Sequence, residues 1–123
     1  MKIKSLKQCP EFTAGDNSKL REILNPKKEG LKLNYSLAYA QVKPKKRTLK
    51  HRLKYTEVYF IINGKGMMHI DRKKRIVKSK DTIYIPPGAV QFIENIGTQP
   101  LEFLCVVNPA WEPKCEEVLE KDG

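Results

Sequence analysis

The sequence predicts an all-β fold, because short apolar or alternating segments recur along most of its 123 residues with turn residues between them. The segments expected to form strands are residues 31–42, 48–53, 58–62, 67–71, 76–77, 82–85, 89–95 and 101–107. We find neither an internal repeat nor a low-complexity stretch among them. Many short strands at this spacing are typical of an antiparallel β-sandwich or β-barrel.

The composition is that of one soluble globular domain spanning residues 1–123, with 40% hydrophobic and 31% charged residues. We divide it into an arm and short helix (1–30), a barrel (31–108) and a tail (109–123). Runs of about 18 apolar residues and signal-peptide patterns are absent, so neither a membrane span nor secretion is expected. Cys9, Cys105 and Cys115 are odd in number and lack CxxC spacing, which indicates reduced thiols and a cytoplasmic location.

The first 24 residues are expected to form an extended arm followed by a short N-terminal helix. Residues 1–11 carry only scattered apolar positions. Helix start and stop signals frame residues 16–24, where Asp16 or Asn17 can cap the first turn and Asn25-Pro26 stops the last. The spacing of Leu20, Ile23 and Leu24 gives this helix one apolar face.

The net charge of +10 raises the question of a nucleic-acid partner. The basic residues cluster at 43–54 and 72–80, in and beside expected turns. No aromatic RNA-binding motif, helix-turn-helix or zinc finger accompanies them, so nucleic acid is not the expected partner. A small anionic substrate would profit from the same positive field.

One polar pair stands beside the most apolar strand. His51 lies six residues before Glu57, and Glu57 directly precedes the apolar run 58–62. Tyr59 follows Glu57 by two residues, so both side chains should point to the same face. Asn63-Gly64 then favours a β-hairpin, since both residues tolerate positive φ. A buried carboxylate at this position needs a hydrogen-bond partner, an ion pair or a metal.

Around this pair the chain resembles the first motif of the cupins, whose fold is a jelly-roll barrel. That motif has Gly, five residues, His-x-His, three or four residues, Glu, six residues and Gly. The first His and the Glu match His51 and Glu57, and the closing Gly matches Gly64. The opening Gly position holds Lys45, and the second His position holds Leu53.

The second cupin motif is also present, in order, so the resemblance covers residues 31–107. It has Gly, five residues, Pro-x-Gly, two residues, His, three residues and Asn. The sequence matches it at 86–88 and at Asn95, with Lys80 at the opening Gly and Gln91 at the His position. Gly serves such turns when φ is positive, so Lys45 and Lys80 indicate either another turn geometry or a strain of about 1 kcal/mol each.

The resemblance implies a divalent-metal site that is only partly kept. Its ligands would be His51, Glu57 and Gln91, and the ion would be Mn, Fe, Ni or Zn, or no metal at all. The flanking segments are similar to a subgroup loosely labelled phosphomannose-isomerase-like. We therefore expect a metal-dependent cupin that acts on or binds a small polar or anionic metabolite, such as a sugar phosphate or oxo acid. Isomerase, dioxygenase and decarboxylase chemistry stay open, with Glu57 and Tyr59 as catalytic candidates.

The alternative is a metal-free cupin that binds a small ligand without catalysis, which Leu53 and Gln91 favour. Tyr39 and Gln41 are further candidates to line the cavity, with core packing favoured for Tyr39. His69 should lie outside the barrel, because its neighbours Met68 and Ile70 have the apolar parity of the interior. Trp111 is expected to cover the barrel end, and Cys105 to be inert core. Small cupins usually pair, so a homodimer is expected.

Overall fold

The computed structural model describes residues 1–121 as two packed antiparallel β-sheets. The strands are β1 (Glu11–Thr13), β2 (Lys19–Leu24), β3 (Ser36–Val42), β4 (His51–Leu53), β5 (Thr56–Asn63), β6 (Lys65–Ile70), β7 (Lys73–Lys78), β8 (Thr82–Ile85), β9 (Gln91–Asn95), β10 (Leu101–Asn108) and β11 (Glu116–Val118). One sheet has the order β1-β2-β3-β10-β5-β8, and the other has β11-β4-β9-β6-β7. This arrangement confirms the predicted all-β jelly-roll barrel. No helix among residues 1–121 is long and apolar enough to cross a membrane.

The core lies between the two sheets and follows from the period of two along each strand. In β10, the central strand of its sheet, Leu101, Phe103, Cys105 and Val107 are buried and the residues between them are half-buried. Ile93 of β9 is fully buried on the facing sheet. Burying a side chain the size of Phe103 contributes about 2–3 kcal/mol, so this alternation accounts for much of the association of the sheets.

Residues 19–24 form a strand, so the helix predicted over residues 16–24 was wrong. Strand β2 pairs with both β1 and β3. Backbone hydrogen bonds to β1 on one side and β3 on the other stabilise the strand. They outweigh the helix propensity of residues 19–24, because intrinsic propensity is only a weak preference in a short segment. The short helix is a single turn, α1 (Pro26–Glu29), in a segment expected to be a loop. Asn25 caps it by accepting a hydrogen bond from the backbone N–H of Lys27.

The Asn63-Gly64 turn does not form the predicted hairpin. It carries the chain from β5 in one sheet to β6 in the other, and the hairpin partner of β6 is β7. Gly64 has φ of +96°, and a Cβ there would lie 2.8 Å from the carbonyl oxygen of Pro100. The turn chemistry was therefore right, but a local signal cannot say which sheet receives the next strand.

The two lysines at the cupin glycine positions adopt the left-handed conformation themselves. Lys45 has φ of 67° and Lys80 has φ of 75°. The chain thus keeps the turn geometry and tolerates a cost of about 1 kcal/mol at each position.

The second motif also has a structural purpose. Its turn at 86–88 ends with Gly88 at φ of 82°, and the N–H of Gly88 donates to the carbonyl oxygen of Leu53. The side chain of Asn95 donates to the carbonyl oxygens of Val42 and Gln99. The Gly88 bond ties the turn before β9 to β4, which pairs with β9 where His51 lies opposite Gln91, and the Asn95 bonds tie the end of β9 to β3 and to residue 99.

Candidate ligand-binding site

A cavity of about 260 Å³ lies between the two sheets. Strand β3 leaves this space because its inward side chains are the small residues Ser36, Ala38 and Ala40. Strand β4 contributes His51 to the lining, and β5 contributes Glu57 and Tyr59. The volume lies near the lower end of the roughly 300–1,000 Å³ typical of ligand pockets, which indicates a small ligand.

Three polar side chains form one hydrogen-bonded row inside the barrel. The hydroxyl of Tyr59 donates to Oε1 of Gln91 at 2.9 Å, and Nε2 of Gln91 donates to Oε1 of Glu57 at 2.8 Å. Gln91 is fully buried, and Glu57 is 7% exposed. The amide orientation follows from its neighbours, because an ionised carboxylate only accepts hydrogen bonds. The predicted placement of all three side chains in the interior agrees with this row.

Burial dominates the protonation of these groups. It raises the pKa of Glu57 to about 7, although His51 and the hydrogen bond from Gln91 act in the opposite direction. Burial also raises the pKa of Tyr59 and of the Cys105 thiol well above their ordinary values. Tyr59 and Cys105 therefore stay protonated at neutral pH, as expected for an inert Cys105, whereas Glu57 is poised to exchange a proton.

His51 is held in one tautomer by the backbone. Its Nδ1 lies 2.7 Å from the carbonyl oxygen of Leu49, so Nδ1 carries the proton and donates it. Its Nε2 lies 3.6 Å from Oδ2 of Asp16, beyond hydrogen-bonding distance. Oδ1 of Asp16 accepts from the N–H and the hydroxyl of Ser18. Asp16 thus belongs to the cavity wall between β1 and β2, and the predicted helix cap at this residue was wrong.

Glu116 is the second site residue that sequence reasoning missed. It comes from β11, pairs in register with Leu53, and accepts a hydrogen bond from the indole Nε1 of Trp111 at 2.9 Å. Burial raises the pKa of Glu116. Trp111 lines the cavity and packs beside Leu53, in keeping with its predicted place over the barrel end. No local pattern marked Glu116, because only the pairing of β11 with β4 brings it here.

Two other candidates lie outside the cavity. Tyr39 and Gln41 have the opposite parity to the inward residues of β3, and the hydroxyl of Tyr39 donates to Glu102 at 2.6 Å. Their predicted cavity role, and the core packing favoured for Tyr39, were therefore wrong. His69 does lie outside the barrel as predicted, where its ring stacks on Phe92 at 3.9 Å.

The donor set as arranged does not fit a metal centre. Among residues 1–121, no three His, Cys, Asp or Glu side chains are placed to hold one ion. Leu53 supplies only an alkyl group, and the oxygen of Gln91 is engaged by Tyr59. Glu57 and Gln91 are joined by a hydrogen bond, His51 pairs in register with Gln91, and His51 and Glu57 both line the cavity. That the three ligate a metal stays a prediction.

The two packed sheets and the cavity between them define a small β-barrel domain. The cupin domain model matches residues 38–107, more than half of the chain. The chain therefore belongs to the cupin domain family.

Known proteins extend this result. An uncharacterized protein of Methanocaldococcus jannaschii is 44% identical over 112 residues, covering 89% of this chain and 87% of the relative. An oxalate-binding protein of Thermotoga maritima is 37% identical over 51 residues, covering 42% of each chain. A cupin 2 conserved barrel domain protein of Salinispora arenicola has a TM-score of 0.76 at 17% identity, over 93% of this chain and 91% of that one.

Proposed function

We propose that this cupin binds a small polar metabolite in the barrel directly through its side chains, without needing a metal ion. The observation that carries the proposal is the continuous row of hydrogen bonds from Tyr59 through Gln91 to Glu57. Glu57 and Gln91 occupy positions where the resemblance implies metal ligands, but Gln91 donates a hydrogen bond to Glu57 and accepts one from Tyr59. Glu57 and Tyr59 of this row line the cavity, and Gln91 holds them from behind, so a ligand would meet a fixed polar wall.

Proton transfer is the chemistry that this wall supports best. Glu57 has a pKa of about 7 and lines the cavity, so at neutral pH it can accept or give a proton. Tyr59 stays protonated and acts through Gln91, so its role in the proposal is to position Gln91. A ligand whose reactive group lies beside Glu57 would meet a general base, which keeps isomerase-type chemistry within the proposal.

A metal-dependent cupin on His51 and Glu57 is the second candidate. The observation that favours it is the tautomer of His51, because donation from Nδ1 to Leu49 leaves Nε2 free to accept a ligand. Sugar phosphates, oxo acids and oxalate belong to this candidate, since a cation would offset their charge. It requires Gln91 to give up its bond to Tyr59 or to take no part.

The test is a screen of small metabolites by thermal shift and ligand-observed NMR, on wild type and on a cavity-filling variant. Ala38→Leu places a larger side chain in the cavity, and Gln41→Leu makes a comparable change on the opposite face of β3. We expect hits that chelator leaves unchanged, that Ala38→Leu removes and that Gln41→Leu keeps. Hits that vanish with chelator would instead support the metal-dependent candidate.

A further inference from the structure

Three carboxylates in the cavity wall share one pattern: one oxygen accepts a hydrogen bond from the protein and the other oxygen accepts none. Oδ1 of Asp16 accepts from Ser18, and Oε1 of Glu116 accepts from Trp111. Oε1 of Glu57 accepts from Gln91. The second oxygens of Glu57 and Glu116 accept no hydrogen bond from residues 1–121, and Oδ2 of Asp16 lies 3.6 Å from Nε2 of His51.

These free oxygens are not sealed inside protein. Within residues 1–121, the only fully enclosed side-chain polar atom without a hydrogen bond is Nε2 of His69, on the outer face of the other sheet. Asp16, Glu57 and Glu116 all line the cavity, so a ligand there can reach them. Glu57 is 7% exposed and lines the cavity, so its second oxygen borders the cavity and not bulk solvent.

Hydrogen-bond donors are scarce on the same wall. His51 bonds through Nδ1 to the carbonyl oxygen of Leu49, and its Nε2 lies 3.6 Å from Oδ2 of Asp16, so the imidazole faces a carboxylate of the same wall. Lys28 is the one Lys or Arg in the lining formed by residues 1–121, and it is paired at 2.8 Å with Glu22. The other oxygen of Glu22 accepts from Asn25. The cavity therefore offers unmatched acceptors and negative charge in a chain whose net charge is +10.

Aromatic rings complete the wall. Phe12, Tyr59, Phe103 and Trp111 line the same space, and the rings of Tyr59 and Phe103 have centroids 4.5 Å apart. Ring faces attract cations, and they also accept the alkyl part of an organic ligand.

Building on the proposed function, we propose that the ligand of this cavity is a small organic cation with several N–H donors, such as an ammonium, amidinium or guanidinium compound. This replaces the anionic metabolite expected from the sequence, because an anion would face three carboxylates without a free Lys or Arg in the described lining. A bare divalent ion fits less well, since no three of the acidic or imidazole side chains in residues 1–121 are placed to share it. An organic cation whose N–H donors point in several directions can bond to carboxylate oxygens that are separated across the cavity wall.

The experiment is calorimetric titration of the full chain with probes that share one carbon skeleton. Butylammonium and butylguanidinium are the cations, with butanol as the neutral probe and butyrate as the anion. Mg²⁺ and Mn²⁺ alone are titrated in parallel. We expect the organic cations to bind at least about tenfold more tightly than butanol or butyrate, because each charge-assisted hydrogen bond contributes a factor of that order.

A pair of adjacent variants shows whether the cavity is responsible. Glu116→Gln removes one charge from the wall and should weaken cation binding about ten- to hundredfold. Glu117→Gln removes the same charge from the exposed neighbour that pairs with Arg52, and should leave binding unchanged. Equal effects of the two variants would overturn the inference.

The probes separate this inference from the proposed function. If butanol or butyrate binds in the cavity and the organic cations do not, the proposed function stands and the cationic ligand is wrong. Binding of Mg²⁺ or Mn²⁺ without the organic cations would also overturn the inference and would favour the metal-dependent candidate. If no probe binds, the inference fails, and the proposed function is then decided by the metabolite screen and its Ala38→Leu variant.

Discussion

Replacing Glu57 by Gln should remove the pH dependence that this buried carboxyl gives to stability. Burial raises the pKa of Glu57 from 4.5 to about 7 in the folded chain. The folded state therefore favours the protonated carboxyl, and its stabilising contribution is complete below about pH 4.5 and lost as pH rises through about 7. A shift of about 2.5 pKa units corresponds to roughly 3 kcal/mol. Gln cannot ionise and still offers Gln91 an oxygen to bond.

We expect the unfolding free energy of Glu57→Gln, relative to wild type, to rise by roughly 3 kcal/mol between about pH 4 and about pH 8. Urea denaturation at a series of pH values measures this difference directly and cancels the titration of groups common to both proteins. Glu117→Gln is the control, because Glu117 is exposed and should give curves parallel to wild type. Parallel curves for Glu57→Gln as well would refute the account of a buried, proton-poised carboxyl.

Three other substitutions test separate parts of the structure. Tyr59→Phe should destabilise the chain by about 1–3 kcal/mol, because it leaves the buried oxygen of Gln91 without its hydrogen-bond donor. Equilibrium unfolding that shows no loss of stability would contradict the row of hydrogen bonds. Lys45→Gly and Lys80→Gly should each stabilise by up to about 1 kcal/mol by relieving positive φ; a fall in denaturant midpoint would show that the turns are not strained. For the expected homodimer, Tyr84→Glu on the exposed face of β8 should give a monomer by light scattering, and an unchanged mass would place any interface elsewhere.

Much of the barrel could be predicted because its information is local. The strands from β3 to β10 follow from period-two patterns and turn residues, and the motif spacing places Glu57 and Gln91 in one interior. The parity of Tyr59 relative to Glu57 needed no tertiary knowledge, since alternate residues of a strand share a face. The same rule placed His69 outside.

The parts that could not be predicted depend on which segments meet. Residues 19–24 carry a helical apolar spacing, and only the edges of β1 and β3 make them a strand. The Asn63-Gly64 turn was recognised, but not that it links the two sheets. Asp16 and Glu116 are about a hundred residues apart in sequence, and only the folded barrel makes them two walls of one cavity. The charge of the cavity therefore could not be predicted from the spacing of the motifs.

The measurement that tests the central claim most directly is the metal content of protein purified without chelator, for wild type and His51→Ala side by side. The account predicts the same metal content in both proteins, well below one ion per chain, because Gln91 and Glu57 bond to each other and Leu53 supplies no ligand. One equivalent of a divalent metal in wild type that is lost in His51→Ala would contradict it.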